Sequence, residues 1–253
     1  MTLGLVAAAI ASGAVCAWNP LACRYMAEVA PTVAVNLQWA LAAIGAGFVL
    51  GFVLGWARVS RRVVFRGLAR GYTEVIRGTP LLIQIFAVYF FFPAFNQVLQ
   101  SNGIGFRINL SEVQRIVIAL VLNTSAYQAE IFRAGFQSVA SGQVEAAASL
   151  GMTRVQTMRH IILPQSLRIM APPLTNEYII MFKDATPLAF VVAVPELVRV
   201  SERFGQSMGA VLEAYLLTAF VFVVLSLVLA GFLRLLERRF AIPGLGISVR
   251  AAA

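Results

Sequence analysis

Charge is what this 253-residue chain has least of. Only 12% of its residues are charged, while 60% are hydrophobic and the mean hydropathy is +0.82. A soluble domain carries roughly a quarter charged residues, so the composition describes a polytopic membrane protein. Lys183 is the sole lysine and follows Ile-Met-Phe in an apolar stretch, which excludes a nucleotide-binding loop ending in Gly-Lys-Ser/Thr. His160 is the sole histidine and stands beside Arg159 between apolar spans. It excludes a His-rich metal site or a paired haem ligand set, leaves an intramembrane serine hydrolase without a base inside the membrane, and reads as a solvated face residue. Cys16 and Cys23 are the only cysteines, too few for a metal or disulfide framework, with one local disulfide left open.

What charge there is has one sign, a net +9. The basic residues flank apolar runs and lack an aromatic-basic platform, so they speak for membrane orientation and against a nucleic-acid partner. Residues 3–18 are apolar and rich in Ala and Gly. An extra span, a signal-type start and an interfacial segment all fit them. Spans are expected at about 32–56, 80–99, 113–132, 174–194 and 211–233. The first carries Gly47, Gly51 and Gly55 at four-residue spacing, a face for close helix packing. A basic loop from Arg58 to Arg77 follows it, and residues 196–209 form an external loop of amphipathic pattern.

Of the 20 basic residues, 14 fall after the first span, around Glu145 or in the C-terminal tail. Five spans with the N-terminus periplasmic and the C-terminus cytoplasmic put them inside. A sixth span at 3–18 would also satisfy the rule with the N-terminus inside, and either way the Glu145 segment faces the cytoplasm. The expected division is an N-terminal apolar segment at 1–30, a transmembrane domain at 31–240 with a cytoplasmic loop at 134–172, and a cytoplasmic tail at 241–253.

That loop contains the most structured stretch outside the spans, Gly142 to Pro164. Glu145-Ala146-Ala147 starts a helix and Gly151 interrupts it. Thr153 and Gln156 form a capping-box pattern for a second short helix, which Pro164 ends. Val155, Met158, Ile161 and Ile162 give that helix an apolar stripe between arginines. Polar groups within spans are costly and point to a solute pathway or to helix–helix bonding. Asn123, Tyr127 and Glu130 share one helix face, with Thr124 beside them and Gln84 a turn into the second span. Lys183 and Asp184, followed by Thr186-Pro187, are expected towards mid-bilayer. Arg133 is close enough to neutralise Glu130.

On these residues the chain resembles the membrane permease subunits of bacterial ABC importers for polar amino acids. The family's cytoplasmic signature is E-A-A, three residues, Gly, nine residues, I-x-L-P. Glu145-Ala146-Ala147, Gly151, Ile161 and Leu163-Pro164 match it without a gap. YTEVIRGTPLLIQIF from Tyr72, SAYQAEIFRAGFQSVASGQ from Ser125 and LPQSLRIMAPPLTNEYI from Leu163 extend the resemblance over about residues 32–240.

The resemblance implies an all-α integral membrane protein of about five transmembrane helices, a MetI-like importer permease in the bacterial inner membrane. It implies an ABC ATPase subunit docking on Glu145, Ala146, Ala147, Gly151, Arg154, Ile161, Leu163 and Pro164. A second permease chain, identical or related, would complete the pore, and a periplasmic binding protein would deliver a small-molecule amino acid. ATP and magnesium would sit on the ATPase, with no cofactor, metal or catalytic residue in this chain. A same-family permease for an opine or other small solute, and a structural subunit without transport, are the other readings. The family commonly reads K-D-T-S-L where this chain has Lys183-Asp184-Ala185-Thr186-Pro187-Leu188, one residue longer.

Overall fold

The computed structural model describes residues 20–184 and 196–240, with side chains to residue 235. Residues 3–18, Cys16, Thr186 and the added proline at 187 lie outside the described residues. The described chain is helical: α1 (Pro20–Arg58), α2 (Val63–Arg77), α3 (Leu81–Ser101), α4 (Glu112–Gln137), α5 (Ser141–Ser149), α6 (Arg154–Thr157), α7 (Leu163–Asp184), α8 (Leu197–Met208) and α9 (Val211–Phe240). By length and composition α1, α3 and α9 can each cross a membrane. α4 and α7 have 26 and 22 residues, but they bury Asn123, Thr124, Gln128 and Glu177 along their inner faces.

α1 has 39 residues, about 58 Å at 1.5 Å per residue. It passes through residue 30 without a break. Tyr25, Met26 and Val29 sit in a core shared with Leu197 and Phe204 of α8 and Ala214, Val221 and Leu225 of α9. The Tyr25 hydroxyl lies 2.8 Å from both Ser201 Oγ and Thr218 Oγ1, joining three helices at this end. Residues 20–30 are thus continuous with the helical bundle.

The most extensive packing is between α1 and α4, and glycine allows it. A β-carbon at Gly51 would lie 2.8 Å from Gln128 Cβ and 3.0 Å from the Ser125 carbonyl oxygen. One at Gly55 would lie 2.5 Å from Phe132 Cβ and 3.0 Å from the Ala129 carbonyl. The four-residue glycine spacing is therefore a packing face, as the sequence suggested. A middle core joins Ala43, Ile85, Ile116, Ala119, Leu120 and Met181. A third, of Phe132, Phe136, Met158, Met170 and Leu174, seats the Glu145 segment against α4 and α7.

Three expectations from sequence need correction. Residues 196–209, read as an external loop, hold helix α8, whose Leu197 and Phe204 pack in the core with Tyr25. The segment after α1, read as a basic loop, holds the 15-residue helix α2. Its Ala69 and Thr73 are buried, and the Tyr72 hydroxyl donates to the Leu122 carbonyl at 2.8 Å. Its arginines hid the helical pattern because its apolar residues mostly face outward: Val63, Val64, Phe65, Leu68 and Val75 are exposed. Nor does Pro164 end a helix. The chain is helical from Arg154 to Asp184 through a π turn at Met158–Ile162. Leu163 N–H bonds to the Met158 carbonyl, five residues back. That wider turn lies just ahead of Pro164, whose ring would crowd the carbonyl four residues back in a regular α-helix. The helix that carries Lys183-Asp184 therefore begins at Leu163, well before Leu174, and is described to Asp184.

Replacing Gly51 with Ala is expected to destabilise the solubilised protein by about 1–3 kcal/mol through overpacking. Gly45→Ala meets nothing within 4 Å and should change stability by no more than about 0.5 kcal/mol. Unfolding in detergent measures both; equal stabilities would refute the close approach as a constraint.

Candidate functional site: an interior cavity and a helix–glycine–helix unit

α2 and α3 are two pieces of one path, broken at Gly78-Thr79-Pro80. Pro80 disfavours α geometry at Thr79 and has no N–H for a continuing helix. The Gly78 N–H closes α2 by bonding to the Glu74 carbonyl at 2.9 Å. Gln84 then staples the break. Its Nε2 donates to the carbonyls of Ile76 at 2.6 Å and Thr79 at 2.9 Å, and its Oε1 accepts from Asn123 Nδ2 at 3.0 Å.

Beside the break is a cavity of about 380 Å³, lined by Arg77 to Leu81, by Asn123 and Tyr127 of α4, and by Glu177, Ile180 and Asp184 of α7. Glu177 and Asp184 are two turns apart, so one face of α7 presents both carboxyls. The Arg77 guanidinium stands 5.3 Å from the centroid of the Tyr127 ring. One wall therefore carries a cation and the other two carboxyls, with an amide and a phenol between.

The pathway residues expected from sequence separate into groups. Asn123, Tyr127 and Asp184 line this cavity. Gln84 stands behind it as the staple. Thr124 is fully buried, accepts from Gln128 Nε2 at 3.0 Å and borders Gly47, so it serves the α1–α4 seam. Lys183 is exposed and is not part of the cavity wall, because the residue next to Asp184 on a helix points about 100° away. Thr186 lies outside the described residues. Glu130 is bound by three arginines: Arg58 at 2.8 Å, Arg77 at 3.8 Å, and Arg133. Arg58 Nη1 also donates to Thr73 Oγ1 at 2.5 Å, extending the cluster to α2. Sequence reasoning passed over Glu177, whose seven-residue spacing from Asp184 was the available signal, and gave Arg77 no site role.

The second site is the helix–glycine–helix unit. Gly151 has φ +75°, and a Schellman motif closes α5 there, with Met152 N–H on the Ala147 carbonyl and Gly151 N–H on the Ala148 carbonyl. Thr153 and Gln156 make the expected capping box in both directions. Gln165 Nε2 donates to Gln143 Oε1 at 2.6 Å, tying α5 to the start of α7. Glu145, Ala146, Gly151, Arg154 and Pro164 are exposed, Ile161 and Leu163 are half-buried, and Ala147 is buried. The apolar stripe divides: Met158 packs inward on Phe132 and Phe136, while Val155 points out. Leu150, absent from the sequence reading, is 82% exposed beside the Gly151 turn. His160 is exposed, as expected.

The basic segments gather at this end of the bundle. Arg61, Arg62 and Arg154 line one groove of about 610 Å³ between α1, α4 and the unit. α9 starts at the opposite, Tyr25 end and so runs towards this one, carrying Arg234. Among the described residues no group of three or more His, Cys, Asp or Glu could hold a metal. Ser207, which sequence reasoning also passed over, does sit in a G-x-S-x-G spacing (Gly205 to Gly209). It ends helix α8, its hydroxyl donates to the Phe204 carbonyl at 2.9 Å, and His160 belongs to the unit at the other end. A strand-to-helix nucleophile elbow is not what this motif builds.

The family described as the binding-protein-dependent transport system inner membrane component matches residues 47–242. The chain belongs to this family. Its members are permease subunits of ABC importers, which work with ATPase and binding-protein partners. This permease is 37% identical over 194 residues to the L-cystine transport system permease protein of Bacillus subtilis (strain 168), covering 76% of this chain and 78% of that protein. It is 36% identical over 200 residues to the glutamine transport system permease protein of Escherichia coli (strain K12), covering 79% and 86%. A crystal structure of an amino acid ABC transporter with histidines superposes with a TM-score of 0.72 at 33% identity, covering 85% of this chain and 95% of that one. The permease is thus a membrane protein with the importer-permease fold.

Glu130 is the acid with which all three arginines of its cluster pair. Glu130→Ala is expected to destabilise the permease by about 1–3 kcal/mol, below the cost of a fully buried pair because the side chain is 26% exposed. Arg133→Ala, which leaves Arg58 and Arg77 on the carboxylate, should cost less than about 1 kcal/mol. Thermal unfolding in detergent compares them; a larger loss in Arg133→Ala would overturn the central role of Glu130.

Proposed function

We propose that the permease carries a polar amino acid across the bacterial inner membrane, taking it from a periplasmic binding protein and drawing energy from a separate ABC ATPase. The observation that carries this reading is the cavity: Arg77 on α2 and Glu177 and Asp184 on α7 offer partners for the two opposite charges of a zwitterion. The names of relatives that transport glutamine or L-cystine support an amino-acid substrate. Asn123 and Tyr127 would contact it, with Gln84 holding the helix break in shape.

The ATPase would dock on the exposed face of the helix–glycine–helix unit, through Glu145, Ala146, Arg154 and Leu150. The buried Ala147, half-buried Ile161 and Leu163, the Gly151 turn and Pro164 would hold the unit rigid. Because Met158 packs against α4 and the unit continues into α7, a push on this face would travel as a rigid-body movement to the helices lining the cavity. The exposed apolar residues Val64, Phe65, Leu68 and Val75 of α2 suit a second permease chain, and lipid would cover the outer faces of α3 and α9. ATP and magnesium belong to the ATPase in this scheme. The ATPase-proximal end of the bundle would be cytoplasmic, with about five spans and a periplasmic N-terminus.

Gly151→Val forces a β-branched residue to φ +75°, at a cost of roughly 1–2 kcal/mol concentrated in the docking unit. In proteoliposomes containing the whole transporter, this variant should lose most ATP-driven uptake of radiolabelled amino acid while the permease still folds. Wild-type uptake in the variant would sink the docking assignment. Failure of the wild-type complex to take up any amino acid, with an opine transported instead, would redirect the substrate; transport of nothing would favour a structural subunit.

A further inference from the structure

We propose that Arg77 and Glu130 form a latch that a substrate's carboxylate opens: the carboxylate draws Arg77 away from Glu130 and loosens α2 from α4. The inference rests on the amino-acid reading of the cavity and adds to it a specificity role for Glu130, a residue that does not line the cavity.

Glu130 serves three guanidiniums unequally. Arg58 lies at 2.8 Å with a side chain 13% exposed, and Arg133 hydrogen-bonds through both Nε and Nη2. Arg77 is the outermost, at 3.8 Å and 42% exposed. Of the three it alone also lines the cavity. One carboxylate cannot satisfy three cations, so Arg77 keeps most of its donor capacity free. It faces Glu130 on one side, the Tyr127 ring beneath, and a cavity whose far wall holds Glu177 and Asp184.

A zwitterion in that cavity places its ammonium towards Glu177 and Asp184, since both are acceptors when ionised. Its carboxylate is left for Arg77. A charge-assisted, bidentate pair forms at about 2.7–2.9 Å and is stronger than a contact at the margin of ion pairing. The ligand therefore competes with Glu130 for the same guanidinium.

The consequence falls on α2. This helix is attached to its neighbours by the Thr73 bond to Arg58, the Tyr72 bonds to Leu122 and Ser125, the Gln84 bond to the Ile76 carbonyl, and the Arg77 contact with Glu130. Arg77 is its last residue, immediately before the break at Gly78. Removing that attachment leaves the last turn of α2 without its ion contact to α4 and held to α3 by Gln84. By linkage, the factor by which a bound carboxylate weakens the Arg77–Glu130 contact is also the factor by which that contact weakens carboxylate binding.

The test uses the full chain in nanodiscs and calorimetric titration with L-glutamine and L-histidine, each paired with its α-carboxamide, which lacks the negative charge. Glu130→Asp keeps a charge near Arg58 and Arg133 but shortens the reach towards Arg77. It should tighten binding of the free acids about two- to fivefold, the range of a weak exposed ion pair, and leave the amides unchanged. Arg77→Gln should weaken the acids by roughly tenfold and abolish the effect of Glu130→Asp in the double variant. Equal tightening of acid and amide, or none, would overturn the latch while leaving the cavity reading intact. No binding of any probe to the wild-type chain would overturn both together. Glu130→Gln, where it folds, should show the same acid-selective gain.

Discussion

Everything in this permease hangs on how closely α1 approaches α4. The glycine face at 47, 51 and 55 brings the two helix backbones together, a contact that lipid cannot drive and that depends on dispersion and fit. Because the helices cross so near, Arg58 at the end of α1 reaches Glu130 on α4, and from there Thr73 on α2. The same approach turns the opposite face of α4, with Asn123 and Tyr127, towards α3 and α7. A wider spacing would dissolve the ion cluster and the cavity wall together.

The two candidate sites are joined by one helix, α7. The cavity borrows its floor from a helix break, and the break is kept in place by Gln84 and Asn123. The helix–glycine–helix unit is held by a left-handed glycine, a capping box and a side-chain bond between Gln143 and Gln165. Between them runs α7, which starts in the unit and ends with Glu177 and Asp184 at the cavity. Its π turn lets the helix pass through Pro164, and the helix continues through Pro172 and Pro173 to Asp184.

Much of this was legible as spacing. Gly151 and the Thr153–Gln156 pair are local signals, since capping and positive φ are properties of a few consecutive residues. The same holds for the E-A-A signature, which spans twenty residues without a gap. Helix α2 was misread because its helical period is written in outward-facing apolar residues and arginines, which look like a loop when no partner is visible. Pro164 was misread because a proline is a stop only where the backbone cannot widen.

The amino-acid sequence by itself determined the membrane class, the helical content, the family and the shape of the helix–glycine–helix unit, because hydropathy, charge placement and cap chemistry act over short range. Tertiary structure alone decided which polar residues within the helices face the cavity. Asn123 and Thr124 are neighbours of similar polarity, yet one lines the cavity and the other is sealed into the seam with α1. Lys183 and Asp184 are likewise parted by a single step of the helix. A helix face has no meaning until a second helix takes up one side of it, and here the glycine contact between α1 and α4 makes that choice.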